Sequence, residues 1–388
     1  MLDIDLAVSN SFLKVDLTKV RNNYRQILKH ISKDVKVASV LKSNAYGFGI
    51  KHIAPVIMQE GGRNIFVTYL SEANLIRDIA LELCINDVNI FILSPAVNQN
   101  FETIIERGYI PVLRTLNEVK SWIDCSVKSE KKLPCVLKFD TGMNRFGIKP
   151  YEITKLLSLN PLKFLDVKYI MSHMSSANYL NSDFNEFQYN NMKQISDTFP
   201  GIPVTFGNSY SIFFDRPMQF DMVRVGRLIY GETDSLLNNQ IYSDIGLEPV
   251  FSIYSRVLQV KNVVKGEAVG YGASYIVPKD GKIAVIGIGY SEGYHTLCKD
   301  RSWFIINGRQ AKVIGGVSME YTMCDISEIN NVHEGDIVTV IGDGISLNQM
   351  AATINVGSLE LVNHFFSTMK NKIYFHEDGK IESIKTGY

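Results

Sequence analysis

Lys42 stands in Val-Leu-Lys-Ser-Asn-Ala-Tyr-Gly-Phe-Gly, residues 40–49, where an apolar β-type stretch gives way to a glycine-bearing turn. Residues 35–41 predict a buried strand, and Gly47 and Gly49 lead into a helical pattern over 50–60. The amine therefore sits at a strand's carboxyl end, where α/β barrels carry their chemistry, and a lysine there can act as a Schiff-base nucleophile. A loop lysine that only snorkels is the plainer alternative. Other residues with chemical potential also close apolar runs. Lys138-Phe-Asp-Thr-Gly-Met-Asn-Arg145-Phe-Gly147 holds a lysine and an arginine around a tight turn, and His173 ends Met-Ser-His. Asn208-Ser209-Tyr210 and Gly226-Arg227 offer a hydroxyl and backbone N–H groups that suit a phosphate, though Asn-Ser is also an ordinary turn or N-cap. Tyr271 lies between Gly270 and Gly272, as many hairpin tyrosines do, and its phenol works at neutral pH only if neighbours tune it.

The elements that must position these residues follow from periodicity. β-Branched runs at 35–42, 65–70, 88–93, 110–114, 135–140, 167–173, 203–208 and 221–226 alternate with amphipathic helical patterns such as 18–31 and 70–83. Eight such runs predict an α/β fold, a (β/α)8 TIM-type barrel. A polar patch at 232–244 marks a boundary, and the expected division is a barrel over 1–240 and a mainly β domain over 241–388. Beyond the patch, strand patterns at 253–263, 284–288, 304–307, 311–314 and 337–341 are broken by glycine turns, with a single helical pattern at 347–354.

Composition narrows the function. With 388 residues and 46% hydrophobic content, two packed domains are expected rather than a small binding module. Forty basic and forty acidic residues leave no net field, so no nucleic acid, membrane surface or polyanion is the expected partner, and a small molecule is. The five cysteines are scattered without a C-x-x-C pair, which predicts reduced thiols and no metal site. Met-Leu-Asp-Ile-Asp-Leu carries acids where a secretory signal needs basic residues, and the expected location is the cytoplasm.

The Lys42 segment, with Tyr46 in register, resembles the pyridoxal 5'-phosphate (PLP) lysine motif of the alanine racemase family, and later segments match the same family in order over residues 13–374. The resemblance implies fold type III PLP chemistry: racemisation of an amino acid, alanine foremost, by two bases. Lys42 would be one base and Tyr271, in Val-Gly-Tyr-Gly, the other, supplied by the partner subunit of a head-to-tail homodimer. Tyr46, Ser209, Gly226 and Arg227 would hold the phosphate with Asn208 beside them, and His173 would lie beside the ring. Arg224 would face the pyridine nitrogen. A guanidinium keeps that nitrogen unprotonated, which weakens the electron sink and favours racemisation over transamination. Arg145 would contact the phenolate and the substrate carboxylate, supported by a Lys138 that can be carbamylated.

Tyr290 belongs to a segment resembling the one that lines the substrate's way in, and Met319 and Glu320 to the carboxylate pocket. Departures gather on this substrate side. Glu292 and Glu320 stand where aspartates are usual, Gly316 where an arginine is, and Leu359, or Val356 three residues earlier, where a gate tyrosine is. They predict a looser pocket, and a racemase acting on serine or larger amino acids is the alternative. A related decarboxylase would need a triple-glycine phosphate loop that the barrel region lacks, and a non-catalytic PLP-binding protein would need no domain bearing Tyr271.

Overall fold

The computed structural model describes residues 10–94, 101–214, 216–231, 245–369 and 371–385. The polar patch at 232–244, with the expected boundary at 240/241, lies outside the described residues, as does the extreme N-terminus. Two compact units emerge, one containing Val20–Gly231 and the other built on the first strand and the chain from Glu248 onward. That first strand, β1 (Phe12–Asp16), departs from the expected division. It pairs antiparallel with β10 (Phe251–Val263) and parallel with β18 (Asn371–Phe375), because Leu13 and Val15 alternate inward and are fully buried there.

The first unit is a closed parallel barrel in the order β2 (Lys36–Val40), β3 (Asn64–Val67), β4 (Asn89–Ile92), β5 (Ile110–Leu113), β6 (Leu133–Lys138), β7 (Leu165–Met171), β8 (Val204–Thr205) and β9 (Met222–Val225). These eight strands fall within or beside the eight predicted runs. Closure comes from β9 against β2, with Ala38 opposite Arg224 and Ser39 opposite Val225. The interior is filled by Ala38, Val40, Phe66, Phe91, Val112, Val136, Tyr169 and Met222, with Phe66 stacked on Phe91 at 4.3 Å. This is a packed core, and barrels of this kind carry their chemistry at the strands' carboxyl ends. The helices Leu17–Lys29, Ile50–Gln59 and Leu70–Glu82 match their predicted patterns closely.

The second unit centres on a nine-stranded sheet ordered β13 (Gly281–Ile286), β16 (Thr322–Asp325), β15 (Arg309–Ile314), β14 (Trp303–Ile306), β17 (Ile337–Ile341), β10, β1, β18 and β19 (Ile381–Lys385). β10 also pairs with β13 through a register shift between Val257 and Gln259. The two-residue strands β11 (Ala268–Val269) and β12 (Tyr275–Ile276) form a separate hairpin. Helix Leu347–Ile354 falls where predicted, and a second helix, Ser358–Thr368, follows it. No described helix is long and apolar enough to cross a membrane.

Candidate active site

Lys42 opens a turn with unusual backbone. Ser43, Asn44, Ala45 and Tyr46 all have φ between 53° and 57°, a left-handed turn that L-residues rarely string together, at about 1–2 kcal/mol each. The turn is held from several sides. Ala45 N–H donates to Leu41 O at 2.9 Å, Gly47 N–H to Ser43 O at 2.8 Å, and Ile50 N–H to the Asn44 side chain at 2.9 Å. Glu72 adds a brace: one carboxylate oxygen accepts from Asn44 N–H at 3.0 Å while the other accepts from Thr68 and Tyr69 N–H at the start of its own helix. Strain of this kind, stabilised by its surroundings, marks functional turns. Burial lowers the Lys42 amine below the usual lysine range, Arg145 adds to this, and Glu72 opposes it.

The same turn delivers Tyr46 to the end of β9. A Cβ at position 226 would collide with the Tyr46 phenol, so any larger residue there would have to displace that ring. Gly226 N–H donates to Ser209 Oγ at 2.9 Å. Tyr46, Ser209 and Gly226 thus form one cluster across the ends of β2, β8 and β9, with Arg227 next in sequence and its guanidinium 5.6 Å from the Tyr210 ring. Burial pushes the Tyr46 phenol up to about 12, so it remains a donor. Asn208 caps the turn Ser209–Phe213 by accepting from Tyr210 N–H at 3.0 Å, and its amide donates to Met174 O at 3.1 Å. It has the ordinary N-cap role that its sequence also allowed.

Arg224 is buried in the barrel wall. Its guanidinium donates to Thr205 Oγ1 and Ser172 O at 2.7 Å, to Phe206 O at 3.2 Å, and to His173 Nδ1 at 3.1 Å. Burial pushes it down to about 9, still protonated at neutral pH. A charged guanidinium can only donate, so Nδ1 of His173 accepts and the ring hydrogen sits on Nε2. Burial, then the cations of Arg224, Lys138, Arg145 and Lys42, hold this imidazole well below its usual range, and it is neutral.

Arg145 rides on a loop pinned at its base. Ile148 N–H donates to Lys138 O at 2.8 Å and Asp140 N–H to Ile148 O at 3.0 Å. Asp140 accepts from Gly142 and Asn144 N–H and from Lys149 Nζ at 2.9 Å. Gly147, at φ 133°, leaves no room for a Cβ against the Phe139–Asp140 backbone. Lys138, at the end of β6, is buried, and its amine is pushed down to about 8 by burial and then by Arg224, Arg145, Arg114 and Lys42. Arg114 and Lys138 both approach the Phe146 ring, at 5.1 Å and 5.7 Å. Arg114 in turn is held by Glu118, whose carboxylate accepts from the guanidinium at 2.6 Å. Sequence reading missed Arg114, Glu118 and Glu72, which carry no motif of their own.

The barrel unit thus gathers Lys42, Tyr46, Lys138, Arg145, His173, Asn208, Ser209, Arg224, Gly226 and Arg227 at one end. The remaining predicted residues lie in the β unit. Tyr271 starts a short turn between β11 and β12 and is 79% exposed. Gly270, at φ 77°, packs on Gly316 N and Met323, which seats this turn on the 315–316 segment. Tyr290 N–H donates to Ser318 O at 3.1 Å and Ser291 N–H to Met319 O at 2.8 Å, fixing the Tyr290 turn beside exposed Met319 and Glu320. Glu292 closes its own turn by accepting from Gly289 N–H at 3.0 Å. An open cavity of about 820 Å³ in this unit is lined by Gly270, Tyr271, Ser318, Tyr321 and Met323 among others. Gly316 leaves open space where a side chain would project, with only Ser274 Oγ within 4.0 Å among the described residues.

Two family models match, "Alanine racemase, N-terminal domain" over residues 15–234 and "Alanine racemase, C-terminal domain" over 250–373. A catabolic alanine racemase of Rhizobium johnstonii is 30% identical over 357 residues, covering 91% of this chain and 92% of that protein. An alanine racemase of Rickettsia canadensis is 28% identical, covering 93% and 98%. Among solved structures, alanine racemase from Bartonella henselae with covalently bound pyridoxal phosphate is similar at a TM-score of 0.86 and 27% identity, over 95% of this chain and all of that one. The Bacillus anthracis enzyme with bound L-Ala-P is similar at 0.84 and 25% identity, over 97% and 98%.

Proposed function

The chain belongs to the alanine racemase family, and from that premise we propose that it interconverts L- and D-alanine with PLP, using Lys42 and Tyr271 as its two acid–base groups. The observation that carries the reading is the cluster at the barrel end, whose donors fit the cofactor. Tyr46, Ser209 and the 226–227 backbone would hold the phosphate. Lys42 offers an amine with a lowered pKa, and buried Arg224 suits the ring nitrogen. When bound, PLP supplies an aldehyde carbon and an electron-withdrawing ring that acidifies the substrate's α-hydrogen. Arg224 keeps its proton, so a ring nitrogen against it stays without one. Arg145 binds the substrate carboxylate.

Inversion at the α-carbon requires proton removal on one face and return on the other. Lys42 moves the proton on one face. Tyr271 of a second subunit moves it on the other, and the Nε2–H of His173 stabilises the phenolate that forms. Support for a homodimer comes from aromatic side chains exposed on segments after β6 and β7: Phe146 at 54%, Tyr179 at 51% and Phe187 at 51%. Such a patch is the kind of surface a partner covers. All five cysteines are free, in keeping with a cytoplasmic enzyme.

The test is direct: purified protein and PLP are given single L- or D-amino acids, and the opposite enantiomer is followed by chiral chromatography. Conversion of alanine in both directions is the expected result, and its absence with PLP bound would favour a PLP carrier. The same panel reads specificity. With Gly316 open and Leu359 at the start of a helix, serine and larger substrates should turn over with alanine's advantage reduced, since one methylene is worth only about 1–3 kcal/mol. Strict alanine selectivity, unchanged in Leu359→Tyr, would contradict the looser pocket.

Lys138 should carry a carbamate. Its amine is pushed down to about 8 among four other cations, and adding CO2 replaces an ammonium with an anion that those cations stabilise. Only the free amine attacks CO2, so the yield should rise as pH passes upward through about 8. 13C-bicarbonate labelling should show one carbamate carbon that disappears in Lys138→Arg. A carbamate carbon absent at every pH, or one that survives the substitution, would refute this.

A further inference from the structure

Helix Asp183–Thr198 contributes nothing to the chemistry proposed above, yet its buried face holds the two loops that do. Gln188 on that face is fully buried. Its Nε2 donates to Thr141 Oγ1 at 3.3 Å and to His173 O at 3.1 Å, and its Oε1 accepts from Ser175 N–H at 2.8 Å and Ser175 Oγ at 3.1 Å. The amide spends both hydrogens and both lone pairs on the Arg145 loop and the His173 loop. Three residues on, Asn191 donates to Thr141 O at 3.1 Å, and Thr141 Oγ1 lies 2.8 Å from Ser172 Oγ. The same helix also meets the Arg145 loop at its backbone, where a Cβ on Gly142 would touch Phe184 at 3.0 Å and Phe187 at 3.2 Å.

We propose that Gln188 is a positioning residue that clamps the loop carrying Arg145 to the loop carrying His173, so that the two groups keep a fixed separation. The proposal rests on the roles given to Arg145 and His173 above. An apolar side chain of similar length would fill the same space without the desolvation cost of a buried amide, so the four bonds, rather than the volume, are what this residue contributes. Two loops joined through one side chain share their displacements. A misplacement of about 1 Å at a catalytic group is enough to slow a reaction about a hundredfold.

The experiment compares Gln188→Met with the parent enzyme, both loaded with PLP. kcat/KM for alanine should fall about 10- to 100-fold. The loss should shrink when Arg145 is already replaced by lysine, because the clamp then has less to position. Hydrogen exchange supplies a readout independent of activity. In both apo and loaded protein, amides at 142–147 and at 173–175 should exchange faster together while the barrel strands keep their rates. Parent-like kcat/KM, loosening of one loop alone, or loosening of the whole barrel would each overturn the proposal. If Gln188→Met fails to fold, Thr141→Val removes the loop-to-loop hydroxyl at nearly constant shape and should give the same signature in smaller measure. Joint loosening of the loops in a protein with no racemase activity would sink the functional reading and leave the clamp intact.

Discussion

Replacing Lys42 with alanine is expected to abolish racemisation and the yellow colour of the loaded protein together. Loss of a positioned acid–base group alone costs about 10²- to 10⁴-fold, and Lys42 would also hold the cofactor. The rival within the same cluster is Lys138, whose amine is also lowered, to about 8. Geometry separates the two. Lys138 is only 8% exposed at the end of β6, beneath the Arg145 loop that starts from its own carbonyl. Lys42 instead begins the left-handed turn that carries Tyr46 to Gly226 and Ser209, so the amine and the phosphate donors belong to one braced segment. Borohydride reduction followed by peptide mapping should place the pyridoxyl group on the peptide containing Lys42. Labelling of Lys138, or of any other lysine, would require a different arrangement of the cofactor.

The barrel was legible because its strands are buried on both faces and read as continuous β-branched runs; β5 and β9 are buried at every position. The candidate site residues were legible for a related reason. Each closes such a run, so Lys42, Lys138, His173 and Gly226 could be placed at strand ends from sequence. What stayed hidden depends on partners distant in the chain. β1 is five residues of mixed polarity that become a strand only between β10 and β18. β11 and β12 have two residues each and no periodicity to read. Helix Ser358–Thr368 does carry a helical spacing, in Leu361, Val362, Phe365 and Phe366, so its signal was present in the sequence. The left-handed turn is the sharpest case, since Ala45 and Tyr46 have no local preference for positive φ. Its glycines announced a turn, and contacts distant in the chain, the Glu72 brace and the packing of Tyr46, help determine which one. Gln188 gave no signal either, because a glutamine on an amphipathic helix is ordinarily solvated.

Tyr271→Phe should lower racemisation about 10²- to 10⁴-fold while leaving PLP content unchanged, since the residues proposed to hold the cofactor all belong to the barrel unit and Tyr271 to the other. Two-base logic gives this variant a signature. With Lys42 intact, one enantiomer of alanine should still exchange its α-hydrogen with solvent deuterium and keep its configuration, while the other should not exchange. Exchange of both would mean that a single group serves both faces. The origin of the phenol is tested by mixing inactive Lys42→Ala chains with inactive Tyr271→Phe chains. If each tyrosine serves the neighbouring barrel, a mixed dimer holds one site with both groups present and one with neither. Random re-association makes half of the dimers mixed, so about a quarter of the parent activity should return. If each site is built within one chain, mixing restores nothing, because every site then lacks one of the two groups. Failure to recover activity in verified mixed dimers would therefore place Tyr271 over its own barrel and remove the need for a partner in the chemistry.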